Sequence, residues 1–117
     1  MGRKQDELTW EDVLKVHRDR RGVFHYLGQV ASIVFSTMGS HGDTLNRDQI
    51  QYVLPEKASY LRDKAALIRA CQEKTSFIVF RKLGVNRYRN LGAHLVRSYA
   101  TEPGRTIFVI EPDFPAG

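Results

Sequence analysis

One cysteine, Cys71, occurs in the 117 residues, which excludes an internal disulfide and any cysteine-rich metal site. It falls in an apolar helical pattern, so a packed thiol is expected rather than a reactive one. No stretch approaches the roughly 18–20 continuous apolar residues of a membrane span, and the charged start Met1-Gly2-Arg3-Lys4 is followed by no secretory apolar region. A reducing compartment is expected, the cytoplasm of a prokaryote or the nucleus of a eukaryote. The four histidines, His17, His25, His41 and His94, are scattered, with no H-E-x-x-H and no paired spacing, so no metal is expected. Phosphate-binding loops, nucleophile elbows and zinc-deaminase signatures are also missing. The acids gather at Asp6, Glu7, Glu11 and Asp12, a pattern that suits a solvated helix start better than a metal-dependent hydrolase. A non-enzymatic domain without a cofactor is the expectation.

What the sequence does have is arginine. Twelve of its eighteen basic residues are arginine and the net charge is +5. Forked, planar donors suit phosphates and base edges, although mild basicity alone is common among soluble proteins.

The length fits one domain over residues 1–117, with 1–8 and 112–117 as loose ends. Thr9 and Asp12 form a capping box for a first helix whose stripe is Trp10, Val13, Leu14 and His17. Arg18, Arg20 and Arg21 should close its last turn and Gly22 stop it. His17 on that stripe reads as a satisfied core residue. Val23–Phe35 predicts one bulged strand or two short ones around Gly28. Residues 36–43 are polar with two glycines and read as a loop. The alternation from Asp48 to Leu54 puts Ile50, Tyr52 and Leu54 on one strand face, ended by Pro55. A second helix, starting near Ser59 or Asp63 and ending at Gln72, should bury Leu61, Ala65, Ile68 and Cys71. Strands follow over Ser76–Lys82, Arg87–Tyr99 and Thr106–Ile110; on the second, Leu91, Ala93 and Leu95 should share a face, with His94 opposite, at the surface or in a pocket. Two helices with five or six strands give an α+β, β-rich class: a curved, largely antiparallel sheet or small barrel with helices packed on it.

Aromatics and cations interleave at one place. Phe77, Phe80, Arg81 and Lys82 are followed across a short turn by Arg87, Tyr88 and Arg89. Paired strands would make a basic, aromatic hairpin end suited to phosphates and stacked bases, or simply a solvated basic tip.

The order of several short motifs then becomes informative. Ser40-His41-Gly42-Asp43 precedes Gln51-Tyr52-Val53, then Lys64-Ala65-Ala66-Leu67-Ile68, then Phe77-Ile78-Val79-Phe80-Arg81. Asn86-Arg87-Tyr88, Leu95-Val96-Arg97-Ser98-Tyr99 and Glu102-Pro103-Gly104 complete the series. No one motif is specific, but the collinear series from His17 to Pro112 resembles the SRA (SET and RING associated, or YDG) domain, a PUA-like fold that reads modified cytosine in DNA. The compact form is similar to sensor modules joined to bacterial modification-dependent restriction nucleases.

The resemblance implies that a modified base of double-stranded DNA, such as 5-methyl- or 5-hydroxymethylcytosine, flips into an aromatic pocket. Tyr52 would be one stacking ring and Phe35 the other, with His41, Gly42 and Asp43 in the loop between them. Met38 stands where the family places a base-reading acid, and Asp43 could substitute if its loop folds back toward Tyr52. Arg47, Arg81, Lys82, Arg87 and Arg89 would meet the DNA backbone. The Y-D-G triplet is Tyr88-Arg89-Asn90 here. A PUA- or EVE-like RNA-binding module, a divergent nuclease using His41 and Asp43, and a protein–protein adaptor are the alternative readings.

Overall fold

The computed structural model describes residues 7–19, 22–37 and 43–113. Eight strands and two α-helices follow one another: β1 (Glu7–Leu8), α1 (Trp10–Leu14), β2 (Val23–Tyr26), β3 (Gln29–Phe35), β4 (Thr44–Asn46), β5 (Gln49–Pro55), α2 (Leu61–Glu73), β6 (Phe77–Gly84), β7 (Arg87–Glu102) and β8 (Arg105–Pro112). A 3₁₀ turn, Ala58–Tyr60, leads into α2.

The capping box forms as expected: the Asp12 amide donates to Thr9 Oγ1 and the Thr9 amide to Asp12 Oδ2. The helix itself ends at Leu14, so Arg18 lies beyond it, while Arg20 and Arg21 fall outside the described residues. The helical pattern gives way because His17 is drawn fully into the interior, where Nδ1 lies 2.8 Å from Ser32 Oγ.

Val23–Phe35 forms two strands. Leu27 and Gly28 turn between them with φ of +54° and +79°, as a two-residue hairpin matched to strand twist requires.

Helix α2 buries Asp63, Ala66, Leu67 and Ala70, a clean i, i+3, i+4, i+7 stripe. The expected face was rotated from this one: Leu61 and Ala65 are exposed, and Ile68 and Cys71 only half-buried. The stripe was hidden because its first member is an acid, kept in the interior by a 3.1 Å contact between Asp63 Oδ1 and His25 Nε2.

The sheet runs β2-β3-β6-β7-β8-β5-β4, with β1 added to β7. It is open rather than closed into a barrel, and among the described pairings only β3 with β6 is parallel. Its larger apolar cluster joins one sheet face to α2 through Ile33, Phe35, Tyr52, Phe77, Val79, Val96 and Phe108. A smaller cluster gathers Val13 of α1 with Phe80 and Tyr88 on the other face, covered by Trp10.

A bulge decides which residues of β7 join which cluster. Val79 pairs with Gly92 but Phe80 with Asn90, so Leu91 is extra, and Gly92 takes φ +86°. Strand parity switches there. Tyr88 therefore packs with α1, whereas His94 and Val96 point inward and Ala93 is exposed, which overturns the expected Leu91, Ala93, Leu95 face.

Candidate nucleic-acid interface

Tyr52 lies mid-strand in β5, opposite Phe108 of β8, and is 6% exposed. Its hydroxyl sits over Gly22, where an added Cβ would collide with it and come within 3.2 Å of the Val34 carbonyl. Gly22 in turn accepts from the Val34 amide at 2.8 Å. A bare backbone position at the entry to β2 thus makes room for the end of the Tyr52 ring beside β3.

Asp43 meets β5 one residue further along. Its Oδ1 accepts the Val53 amide at 2.8 Å, so the chain does fold back and brings this carboxylate next to Tyr52. Phe35 ends β3 and is 2% exposed within the larger cluster. Both rings are covered as the chain stands. Met38, His41 and Gly42 lie outside the described residues.

The register extends this site across the sheet. Phe35 is the partner of Arg81 on β6, Arg81 of Arg89 on β7, and Arg89 of Glu7 on β1. Partners in register project to one face, so the four residues form a single row, on the side of the larger cluster. The Nε atoms of Arg81 and Arg89 are buried while their side chains remain half-exposed.

The remaining expected cations do not share this row. Lys82 pairs with Tyr88 and belongs to the opposite face. Arg87 is forked onto Glu7, with Nε to Oε1 at 3.0 Å and Nη2 to Oε2 at 2.9 Å, and this carboxylate holds the guanidinium's pKa above its ordinary value. It must release or share Glu7 to meet a phosphate. Arg47 takes φ +59° in the β4–β5 turn and lines a hollow of about 190 Å³ with Asp48, Leu91 and His94. His94 pairs with Phe77, four residues before Arg81 on β6, so Arg47 sits at the far end of that strand, roughly 13 Å away along it.

One feature of this region is not legible in the sequence, and a second, His94, takes the pocket side of the two places open to it. Gly22 reads locally as a helix stop, and its close approach to Tyr52 depends on a contact thirty positions away. His94 is 2% exposed, its Nδ1 bound to the Gly92 carbonyl at 2.9 Å, and burial pushes its pKa below the ordinary value of 6.5. Among the described residues, no group of three or more potential ligands could hold a metal ion.

No family model matches the sequence, and no curated protein matches it. Solved structures do. The SUVH5 SRA domain in complex with hemi-methylated CG DNA superposes with a TM-score of 0.72 at 24% identity, over 90% of this chain and 85% of that one. The same domain with fully methylated CG DNA gives 0.70 at 24% identity, over 87% and 80%. SUVH6 of Arabidopsis thaliana in complex with SAM gives 0.69 at 25% identity, over 92% of this chain but only 25% of that longer one. The chain has the fold of an SRA domain.

Proposed function

We propose that this domain binds double-stranded DNA and reads a modified cytosine by taking the base out of the stack into the site around Tyr52. The observation that carries this reading is the likeness over nearly the whole length of both chains to an SRA domain in complex with hemi-methylated CG DNA. The local geometry supports it. Tyr52 and Phe35 belong to one apolar cluster, Asp43 bonds the amide next to Tyr52, and cations stand beside Phe35 on the sheet. Met38, His41 and Gly42 belong to the site by the resemblance of their segment.

Unstacking a base costs a few kcal/mol, which a closed site returns through stacking and hydrogen bonds. Tyr52 supplies a ring, and the Asp43 carboxylate, steadied by the Val53 amide, supplies an acceptor for an exocyclic amine. On this reading the domain acts as a reader, as its likeness to a DNA-bound SRA domain supports. The resemblance to compact bacterial modules supports a setting as the sensing part of a modification-dependent restriction system, with an attached or associated nuclease.

A binding panel tests it: one duplex carrying cytosine, 5-methylcytosine, 5-hydroxymethylcytosine or N6-methyladenine, with single-stranded RNA as a further arm. A preference of at least about tenfold for one modified cytosine is expected, a discrimination of about 1.4 kcal/mol. Tyr52→Ala should erase that preference while leaving weak, salt-sensitive binding to any duplex. Equal affinity across the panel, or tighter binding to the RNA, would remove the reading.

A further inference from the structure

We propose that the groove between the β2–β3 hairpin and α2 is a docking site for a second protein, one that presents a short acidic segment carrying a large apolar side chain. The groove lies apart from the Tyr52 site. The hairpin turn stands at the start of β3 and Phe35 at its end, roughly 20 Å away along the strand.

The turn itself is the first observation. A two-residue turn with positive φ at both positions favours Asn-Gly, yet here it is Leu27-Gly28. Leu27 holds φ +54°, a conformation unfavourable for a bulky side chain, and leaves that side chain 81% exposed. Both properties count against the isolated fold. Tyr26 beside it is 69% exposed. Ala65 and Ala66 of α2 line the same groove, and Leu61, one turn before Ala65, is exposed as well. Contiguous apolar surface of this kind marks a contact with another molecule.

The walls are held in place. His25 Nε2 lies 3.1 Å from Asp63 Oδ1, and Arg69 Nη1 donates to the Leu27 carbonyl at 3.4 Å. A Cβ on Gly28 would come within 3.1 Å of that Nη1, so the bare glycine lets the guanidinium lie across the turn. The space between hairpin and helix is about 540 Å³, room for a large apolar side chain. A site already formed loses little entropy on binding.

Charge identifies the occupant. Arg62 and Arg69 line the groove at i, i+7 on one face of α2. Arg69 shares the exposed Glu73 at 3.1 Å, whereas Arg62 has no ion-pair partner among the described residues. An acid on the incoming segment meets Arg62 while its apolar neighbour covers Leu27 and Tyr26. A second copy of this chain carries the same net charge of +5 and fits poorly. DNA offers negative charge, but not the apolar side chain that Tyr26, Leu27 and two alanines accommodate.

The test selects short random peptides displayed on phage against the wild-type domain, and in parallel against Leu27→Asn and Arg62→Glu. Both variants keep the fold, since Asn suits the turn and residue 62 is an exposed position in the first turn of α2. Enriched peptides should carry Leu, Phe or Trp flanked by Asp or Glu. A synthetic copy of the most enriched one, followed by fluorescence anisotropy, should bind Leu27→Asn about tenfold more weakly, as the loss of a buried leucine implies. Arg62→Glu should weaken it by about threefold or more, and added salt should narrow that difference. No enrichment, enriched peptides without acids, or equal binding by wild type and both variants would overturn the proposal. So would displacement of the peptide by unmodified duplex, which assigns the groove to DNA. Self-association in sedimentation that disappears in Leu27→Asn would assign it to a second copy. Preference for the modified duplex should be the same in both variants as in wild type, and the peptide selection stands whether or not that preference is found.

Discussion

His94 makes the protein's stability sensitive to acid. Burial lowers its pKa in the folded state, with the Gly92 carbonyl and Asp48 opposing that shift, so the unfolded chain binds a proton first as the pH falls. The unfolded state then holds more protons than the native one, and stability declines as the pH drops below about 6.5. Melting temperatures measured from pH 8 to pH 5 should fall most steeply below that value. His94→Gln should flatten this part of the curve. An unchanged slope in the variant would assign the effect to another group. Gly22 offers a second single-residue test. Gly22→Ala drives a methyl into the Tyr52 hydroxyl and should cost about 1–3 kcal/mol by overpacking. In a Tyr52→Phe background the same change should cost less, since the colliding atom is gone. A double-mutant cycle by denaturant unfolding checks this, and simple additivity would mean that the two positions do not meet.

The β6–β7 hairpin shows best what a sequence discloses about an element. Its strands, its turn and its basic, aromatic composition were all legible because they are local. What could not be read was which cations remain available, since Arg87 is taken by Glu7 from eighty positions earlier in the chain. The turn depends on an equally distant bond: Asn86 Oδ1 accepts the Trp10 amide at 2.7 Å while the residue itself holds φ +54°. Asn86→Gly keeps the conformation and loses the bond, whereas Asn86→Ala loses both. Thermal unfolding should therefore rank wild type above Gly and Gly above Ala, with the alanine variant down by about 1–2 kcal/mol. Equal losses would show that the left-handed turn carries no cost. The wrong faces assigned to α2 and to β7 share one origin. Periodicity reports burial only while buried residues are apolar and strands keep their phase. Asp63 violates the first condition, and the bulge at Leu91-Gly92 the second.

At the scale of the molecule, one sheet carries apolar clusters on both faces, and the candidate site lies on the α2 side of it. The β-rich class and the resemblance to SRA domains were available from the order of motifs. The parallel pairing of β3 with β6 was not, because β4, β5 and α2 intervene between them and no local pattern announces it. The site was legible in part. Asp43 does fold back to the Val53 amide beside Tyr52, whereas the five expected cations divide between two ends and two faces of the sheet. The β6–β7 hairpin alone aligns Arg81 with Arg89, and the parallel pairing adds Phe35 to their row.

The same crossover bears on how such a domain could change its ligand. β3 is locked between β2 and β6, and β5 against β8, so the register of both is set by strands far from the segment that joins them. Residues 36–43 lead from β3 to β4, which pairs with β5. Substitutions before Asp43, which is itself tied to the Val53 amide, should leave the register of both strands in place. If the proposed reading holds, exchanging this segment should change which base is preferred and leave the salt-sensitive binding to any duplex in place.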